Sequence, residues 1–221
     1  MTYDAAVFDM DGVLVERTPS WVFDDAATGA LEAFGLHDHS EEEHKTIRSS
    51  RRIRSEDGHA LAERAGADLE TMWQERESLV AEGQQEAIAR EEKGLYDDAR
   101  ALSDTGLDFG IVSNNQHVMV EHVLDHFGLE GFDTYYGRPP TFEGLDLCKP
   151  DTTYLERALS DLDAERAVYI GDRESDVKVA EAAGIDSAFV RREFNQDDDL
   201  GTQPTYDVDS LFDLRRELGY E

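Results

Sequence analysis

VFDMDGVLV, residues 7–15, begins like a buried strand and then breaks its own pattern, because Asp9 and Asp11 stand two positions apart beside Gly12. The apolar run leading into it, residues 5–8, shows no polar alternation, and unalternating short runs suit strands covered on both faces of a parallel sheet. Comparable runs recur at residues 109–112 (FGIV), 167–170 (AVYI) and 187–190 (SAFV). The stretches between them carry helical spacing. HVMVEHVLDHFGL halts at Gly128, YLERALSDL follows the same period, and DVKVAEAAG ends at Gly184, as a helix C-terminus commonly does. Strand alternating with helix predicts an α/β fold built on a doubly wound, mainly parallel sheet.

Residues 17–93 interrupt this rhythm. They offer WVFDDAATGALEAFGL, then SEEEHKTI with Ser40 and Glu43 spaced as a capping box, then GHALAERAG and the long DLETMWQERESLVAEGQQEAIAREEK, with no convincing strand. The expected organisation is therefore an α/β core made of residues 1–16 and 94–221, with a helical insertion at 17–93. Trp21, Phe23, Phe34, Met72 and Trp73 read as the apolar faces of the inserted helices. NQDDDLGTQP, residues 195–204, reads as a surface loop.

A chain of 221 residues suffices for one sizeable core with a smaller inserted unit. Its charge is extreme. There are 51 acidic side chains against 21 Lys and Arg, of which only four are Lys, and the formal net charge is -30. Self-repulsion of that size calls for abundant counter-ions, so the composition is that expected of a cytosolic protein adapted to high salt, and nucleic acid is a poor partner for it. The single Cys148 excludes an internal disulfide, fits a reducing compartment and reads as a small buried apolar residue. No N-terminal signal pattern occurs, and no stretch nears the roughly 20 apolar residues of a membrane span, so a cytoplasmic location with no membrane partner is expected.

In open α/β sheets ligands gather beyond the carboxyl ends of the strands. The polar clusters of this chain occupy those places: Asp9 and Asp11 after the first run, Ser113, Asn114 and Asn115 after FGIV, and Asp172 with Asp176 after AVYI. Each alone is readable as a turn or a helix cap. Carboxylates brought together repel one another, and a hard divalent cation with oxygen ligands, Mg²⁺ above all, would keep them ionised and also bind phosphate oxygens. Lys149 supplies a positive charge that a phosphoryl group can share.

With these residues in hand, the chain resembles the haloacid dehalogenase-like hydrolase superfamily. DMDGV (9–13), SNN (113–115), KP (149–150) and GDRESD (171–176) are similar to the four motifs of that family, in its order, and the helical insertion is similar to its cap, with LVERTP (14–19) as the hinge. The resemblance is to the capped phosphatases, a group that includes phosphoglycolate phosphatase and β-phosphoglucomutase-type members. It implies a Rossmann-like core, Asp9 as nucleophile forming an aspartyl-phosphate, and Asp11 as general acid and then base. It further implies Ser113 and Asn114 as phosphate ligands, with Lys149 neutralising the phosphoryl group and Asp9. Asp9, Asp11, Asp172 and Asp176 would form the Mg²⁺ site. Halide-displacing members lack the second aspartate, so Asp11 argues against dehalogenation. Phosphonate hydrolysis implies a cap lysine, and neither Lys45 nor Lys93 has the apolar setting it requires.

The expected activity is Mg²⁺-dependent hydrolysis of a small organic phosphate monoester, with a phosphomutase or a non-catalytic metal-binding regulatory domain as alternatives. IRSSRRIRS concentrates Arg48, Arg51, Arg52 and Arg54 in one segment. Arg51 and Arg52 are read either as a clamp for a second anionic group of the substrate or as ion-pair partners of neighbouring acidic helices. His122 and His126 share a helical face, but no third ligand is signalled nearby, so a helix surface is the reading adopted.

Overall fold

The computed structural model describes residues 3–220. In chain order its strands are β1 (Ala5–Phe8), β2 (Asp108–Gln116), β3 (Phe132–Arg138), β4 (Ala167–Gly171), β5 (Asp186–Val190) and β6 (Tyr206–Val208). All pair in parallel, in the spatial order β3-β2-β1-β4-β5-β6. The fold is thus the α/β, doubly wound, Rossmann-like sheet that the alternation of runs predicts. From β1 the chain winds outward through β2 and β3, then crosses back to lay β4 on the other side of β1. That reversal opens a crevice at the carboxyl ends of β1 and β4, the usual place for a ligand. Register fixes what lies there: Phe8 is level with Ile111 and Ile170, so the next residues of three strands emerge at one edge.

Every residue of β1 is buried, which is why the run carries no polar alternation. Successive side chains alternate between the two faces of the sheet. On one face Ala5 and Val7 join Val112, Tyr169, Leu155 and Val179 in a core under helices α7 and α8, introduced below. On the other, the Phe8 ring meets Phe109 and Phe132 edge-on, each at 5.8 Å. Burying a side chain such as Val7 or Phe8 stabilises by about 1.5–3 kcal/mol, so β1 anchors the sheet from both sides.

Helices α1 (Ser20–Ala33), α2 (Glu41–Arg48), α3 (Glu56–Ala65) and α4 (Leu69–Ala89) occupy the insertion. The capping box forms as spaced: Ser40 Oγ accepts from Glu43 N at 3.3 Å, and the Ser40 amide donates to Glu43 Oε2 at 2.8 Å. Ala27, Leu31, Ile47, Met72 and Trp73 form the apolar centre of this unit. The remaining helices are α5 (His117–Phe127), α6 (Phe142–Asp146), α7 (Thr153–Asp161), α8 (Glu174–Ala183) and α9 (Leu211–Glu217). Helices α5 and α8 terminate at Gly128 and Gly184 in left-handed conformation, φ 56° and 74°, where the sequence pattern placed their ends.

The chain divides into two compact units. Thr18–Lys93 together with Pro139–Asp146 forms the helical one, and the sheet belongs to the other. Residues 139–146, which the sequence reading keeps with the α/β core, cluster with the helices because Phe142 stacks on Trp73 and its amide donates to Glu70 at 3.1 Å. Cys148 is half-buried rather than buried. Among the described residues no helix is long and apolar enough to cross a membrane.

Candidate active site

At the end of β1 the ladder continues one step further, with the Asp9 amide donating to Ile170 O at 2.8 Å. The chain then coils tightly: the amides of Val13, Leu14 and Val15 all donate to Met10 O, at 3.3, 2.9 and 3.1 Å. This coil turns both aspartates out of the core. Asp9 Oδ1 accepts from the Met10 amide at 2.7 Å, while Oδ2 lies 2.8 Å from Lys149 Nζ. Asp11 is half-exposed, and its Oδ2 accepts from Asn115 Nδ2 at 2.7 Å. Gly12 makes the coil possible. Its φ is +86°, and a Cβ there would fall 2.4 Å from Asp172 Oδ2, so a side chain would both strain the backbone and displace the acid opposite.

The end of β2 supplies the second wall. Ser113 is buried and its Oγ accepts from the Asn115 amide at 3.2 Å. Asn114 Oδ1 accepts from the Lys149 amide at 2.8 Å, and its own carbonyl accepts from Arg138 Nε at 2.9 Å. Asn114 therefore ties the lysine's backbone to the end of β2.

Helix α8 begins directly after β4 and carries the third group. Asp176 Oδ2 accepts from the amides of Asp172 and Arg173, at 3.1 and 2.9 Å, which ties the two residues before the helix to its first turn. Its Oδ1 lies 2.7 Å from Lys149 Nζ. Among the described residues Asp172 has no hydrogen-bond partner: both carboxylate oxygens are buried without one, and the Arg173 guanidinium is 4.0 Å away. Gly171 admits this packing, because a Cβ there would meet Asp176 Cβ at 2.2 Å.

One oxygen from each of Asp9, Asp172 and Asp176 can be chosen so that all lie within 4.8 Å of one another. Three buried carboxylates against one ammonium leave an excess of negative charge in a dry site. Burial, then the Asp9 and Asp176 charges, push the Asp172 carboxyl up to about 8. Burial also raises Asp9 above the ordinary range despite Lys149, with Asp176 and Asp11 adding to the effect. Burial disfavours the Lys149 cation, but Asp176 and Asp9 outweigh it and hold the ammonium well above its usual pKa. An all-oxygen cluster with an unpartnered buried carboxylate is the donor set a hard divalent cation requires.

This has a measurable sign. In the folded protein Asp172 holds its proton to about pH 8, whereas the ordinary carboxyl loses it near 3.8, so this group's contribution to stability fades as pH rises through that window. A bound divalent cation favours the ionised form and reverses the trend. A divalent cation held by Asp172 would therefore raise the unfolding temperature, relative to a chelator, by an amount that grows from pH 5 to pH 8. A rise that is flat with pH, or absent, would remove Asp172 as a ligand.

The structure thus brings Asp9, Asp11, Ser113, Asn114, Lys149, Asp172 and Asp176 to one sheet edge. Arg51 and Arg52 belong to the helical unit. Arg52 pairs there with Glu42 at 3.0 Å and Asp57 at 3.2 Å, while Arg51 is exposed and makes no ion pair among the described residues. Their neighbours Arg48 and Arg54 bond Asp24 and Asp146, each at 2.5 Å.

Sequence reasoning passed over two supporting residues, Tyr169 and Asn195, and gave a third, Asn115, no role of its own. Tyr169, taken as core, accepts from Lys149 Nζ at 2.8 Å and donates to Val112 O at 2.6 Å. A hydroxyl in the otherwise aliphatic AVYI run is the signal that was available. Asn115 orients Asp11, as described above. Asn195 opens the stretch read as a surface loop, yet it is only 2% exposed, because its side chain bonds backbone of β5 and of the acid loop after β4.

The profile of the haloacid dehalogenase-like hydrolases matches residues 6–190. A phosphoglycolate phosphatase of Colwellia psychrerythraea is 25% identical over 97% of this chain and 95% of its own length. One from Cereibacter sphaeroides is 29% identical, covering 81% of each chain. Among solved structures, a HAD phosphatase of Thermococcus onnurineus superposes with a TM-score of 0.69 at 23% identity, over 100% of this chain and 99% of its own.

Proposed function

Because this chain belongs to the haloacid dehalogenase-like hydrolase family and is an enzyme of that kind, we propose that it is a Mg²⁺-dependent phosphatase that hydrolyses a small organic phosphate monoester through Asp9. The observation that carries this reading is the cluster at the β1/β4 crevice, where Asp9 meets Lys149 at 2.8 Å beside the unpartnered carboxylate of Asp172. The names of two relatives that match over most of the chain, both phosphoglycolate phosphatase, support the reaction class and favour a small anionic phosphate ester.

In the proposed reaction an Asp9 carboxylate oxygen attacks phosphorus, the ester P–O bond breaks, and Asp11 gives its proton to the departing alkoxide. Asp11 then takes a proton from water as that water attacks the aspartyl-phosphate. The bond from phosphorus to Asp9 breaks, and inorganic phosphate leaves with the carboxylate restored. Asn115 keeps the Asp11 carboxylate aimed during both transfers. Lys149, fixed from below by Tyr169 and along its backbone by Asn114, offsets charge on Asp9 and on the phosphoryl group. Ser113 and Asn114 are assigned to the phosphoryl oxygens. Mg²⁺, held by Asp9, Asp172 and the Asp11 carbonyl with Asp176 orienting that shell, would supply charge neutralisation on phosphate oxygens. Asp176 acts mainly as an orienter, since its Oδ2 is already committed to two backbone amides. Arg51, exposed and without an ion pair among the described residues, is the insertion arginine proposed for a second anionic group of the substrate, whereas Arg52 already has two acidic partners.

The test is a panel of phosphate esters assayed at high KCl with Mg²⁺ and with a chelator. Phosphate release that requires the metal is expected, with the highest kcat/KM on small carboxylated esters. Phosphoryl transfer to a second hydroxyl with little free phosphate would instead make the protein a mutase, and no turnover of any ester would leave it a binding domain.

A further inference from the structure

The coil after β1 is held from outside by residues that no motif contains. Arg192, just beyond β5, donates from Nε to Gly12 O at 3.3 Å and from Nη2 to Val13 O at 2.8 Å. The same guanidinium grips Asp98 with two bonds of 2.9 Å and lies over the Tyr96 ring, 3.9 Å from its centroid. Its own amide donates to Asn195 Oδ1 at 2.6 Å, and Asn195 Nδ2 donates to Asp172 O at 2.8 Å and Val190 O at 3.1 Å. Asp98 is anchored in turn by the Leu211 amide at 2.8 Å.

Two features separate this arrangement from an ordinary ion pair. Arg192 is already neutralised by a bidentate carboxylate, and both side chains are nearly buried, 10% and 6% exposed, so its charge is not on offer to a substrate anion. What it still offers is directed N–H groups, and they go to the carbonyls of Gly12 and Val13. Gly12, with its left-handed φ and no side chain, is the softest position of the coil and follows Asp11 directly. Only a rigid fork reaches Gly12, Val13 and Asp98 at once; a lysine ammonium cannot reproduce that geometry.

Resting on the phosphatase reading above, we infer that Arg192 and Asn195 are positioning residues, one locking the coil that carries Asp11 and the other locking the main chain of Asp172, so that the loop after β5 sets acid and metal ligand against each other. Neither touches the reacting atoms. Arg192 acts through the direction of the Asp11 carboxylate, and Asn195 acts through the placement of the Asp172 backbone.

The experiment compares wild type with Arg192→Lys and Asn195→Ala. It records unfolding temperature during titration with Mg²⁺ alone, and kinetics on an alkyl phosphate and on p-nitrophenyl phosphate. Arg192→Lys should lower kcat for the alkyl ester about 10–100-fold with KM unchanged, and less for the aryl ester, whose leaving group hardly needs a proton. Asn195→Ala should raise the Mg²⁺ concentration for half-maximal thermal stabilisation about tenfold. It needs no turnover to be read, so it stands even if Arg192→Lys fails to fold. Variants that lose only stability, with wild-type Mg²⁺ titration and the wild-type ratio of alkyl to aryl rates, would reduce the clamp to scaffolding and overturn the inference. A wild-type protein that neither turns over esters nor gains stability from Mg²⁺ would instead overturn the phosphatase reading itself, and the inference with it.

Discussion

Asp9→Asn should lose at least about 10³-fold in kcat while keeping, or raising, the unfolding temperature measured in chelator. The activity loss follows from removing the attacking carboxylate, and losses of this order or more accompany deletion of a nucleophile. The stability half of the prediction is the sharper one. Burial disfavours the Asp9 carboxylate in the folded protein and the Asp176 and Asp11 charges add to that, with Lys149 as the compensation. An amide of nearly the same shape removes one negative charge from a crowded site and leaves Lys149 still paired to Asp176 at 2.7 Å. Relief of strain at a functional site commonly stabilises what it inactivates. Unfolding followed in chelator and steady-state rates in Mg²⁺ would read both halves. Retained turnover would remove Asp9 as nucleophile, and a marked fall in stability with turnover lost would recast it as a structural residue.

Lys149→Met is expected to fail in the opposite way, losing activity and stability together. The Nζ group lies 2.8 Å from Asp9 and 2.7 Å from Asp176, and it also donates to Tyr169 and to Val112 O. Methionine keeps most of the volume, so no large cavity explains the outcome. What remains is two buried carboxylates stripped of their counter-charge, and breaking a buried pair from one side costs about 3–5 kcal/mol. The penalty should shrink as pH falls, because protonating the carboxylates removes the charge that lacks a partner. Denaturant unfolding at pH 5 and pH 8 checks this. Equal losses at both pH values would mean that packing, not charge, is what Lys149 contributes.

The sheet was legible where its strands are covered on both sides. Residues 5–8, 109–112, 167–170 and 187–190 announce themselves as unbroken apolar runs because every side chain there meets protein. The edge strands did not: β3 mixes Asp, Thr and Tyr along a half-covered surface, and β6 is three residues long. The acids of the site were legible for a related reason, since a carboxylate directly after such a run has no place in the core. The residues that aim them were hidden. Tyr169 offers only a hydroxyl in an aliphatic run, which many core tyrosines also show, and Asn195 sits among acidic and glycine residues that look solvated. Arg192 finds Asp98 across 94 positions of chain. Each acquires its task only when the crossover connections bring distant segments together. The clustered arginines show the converse. Their concentration was visible, but the partners of Arg48, Arg52 and Arg54 lie on other elements of the helical unit.

The short β-like pairing after the coil has a wider meaning for how such a chain can change. The Glu16 amide donates to Gly94 O at 2.8 Å, the Gly94 amide returns to the Glu16 carboxylate at 2.9 Å, and Tyr96 bonds back to Leu14 at 3.0 Å. Residues on either side of a 77-residue excursion, 17–93, are thereby stitched together as though joined by a hairpin. Loop-closure entropy grows only with the logarithm of length, so the sheet barely registers whether that excursion is long or short. The pairing therefore lets the sheet accept a change in the length of residues 17–93 at little entropic cost.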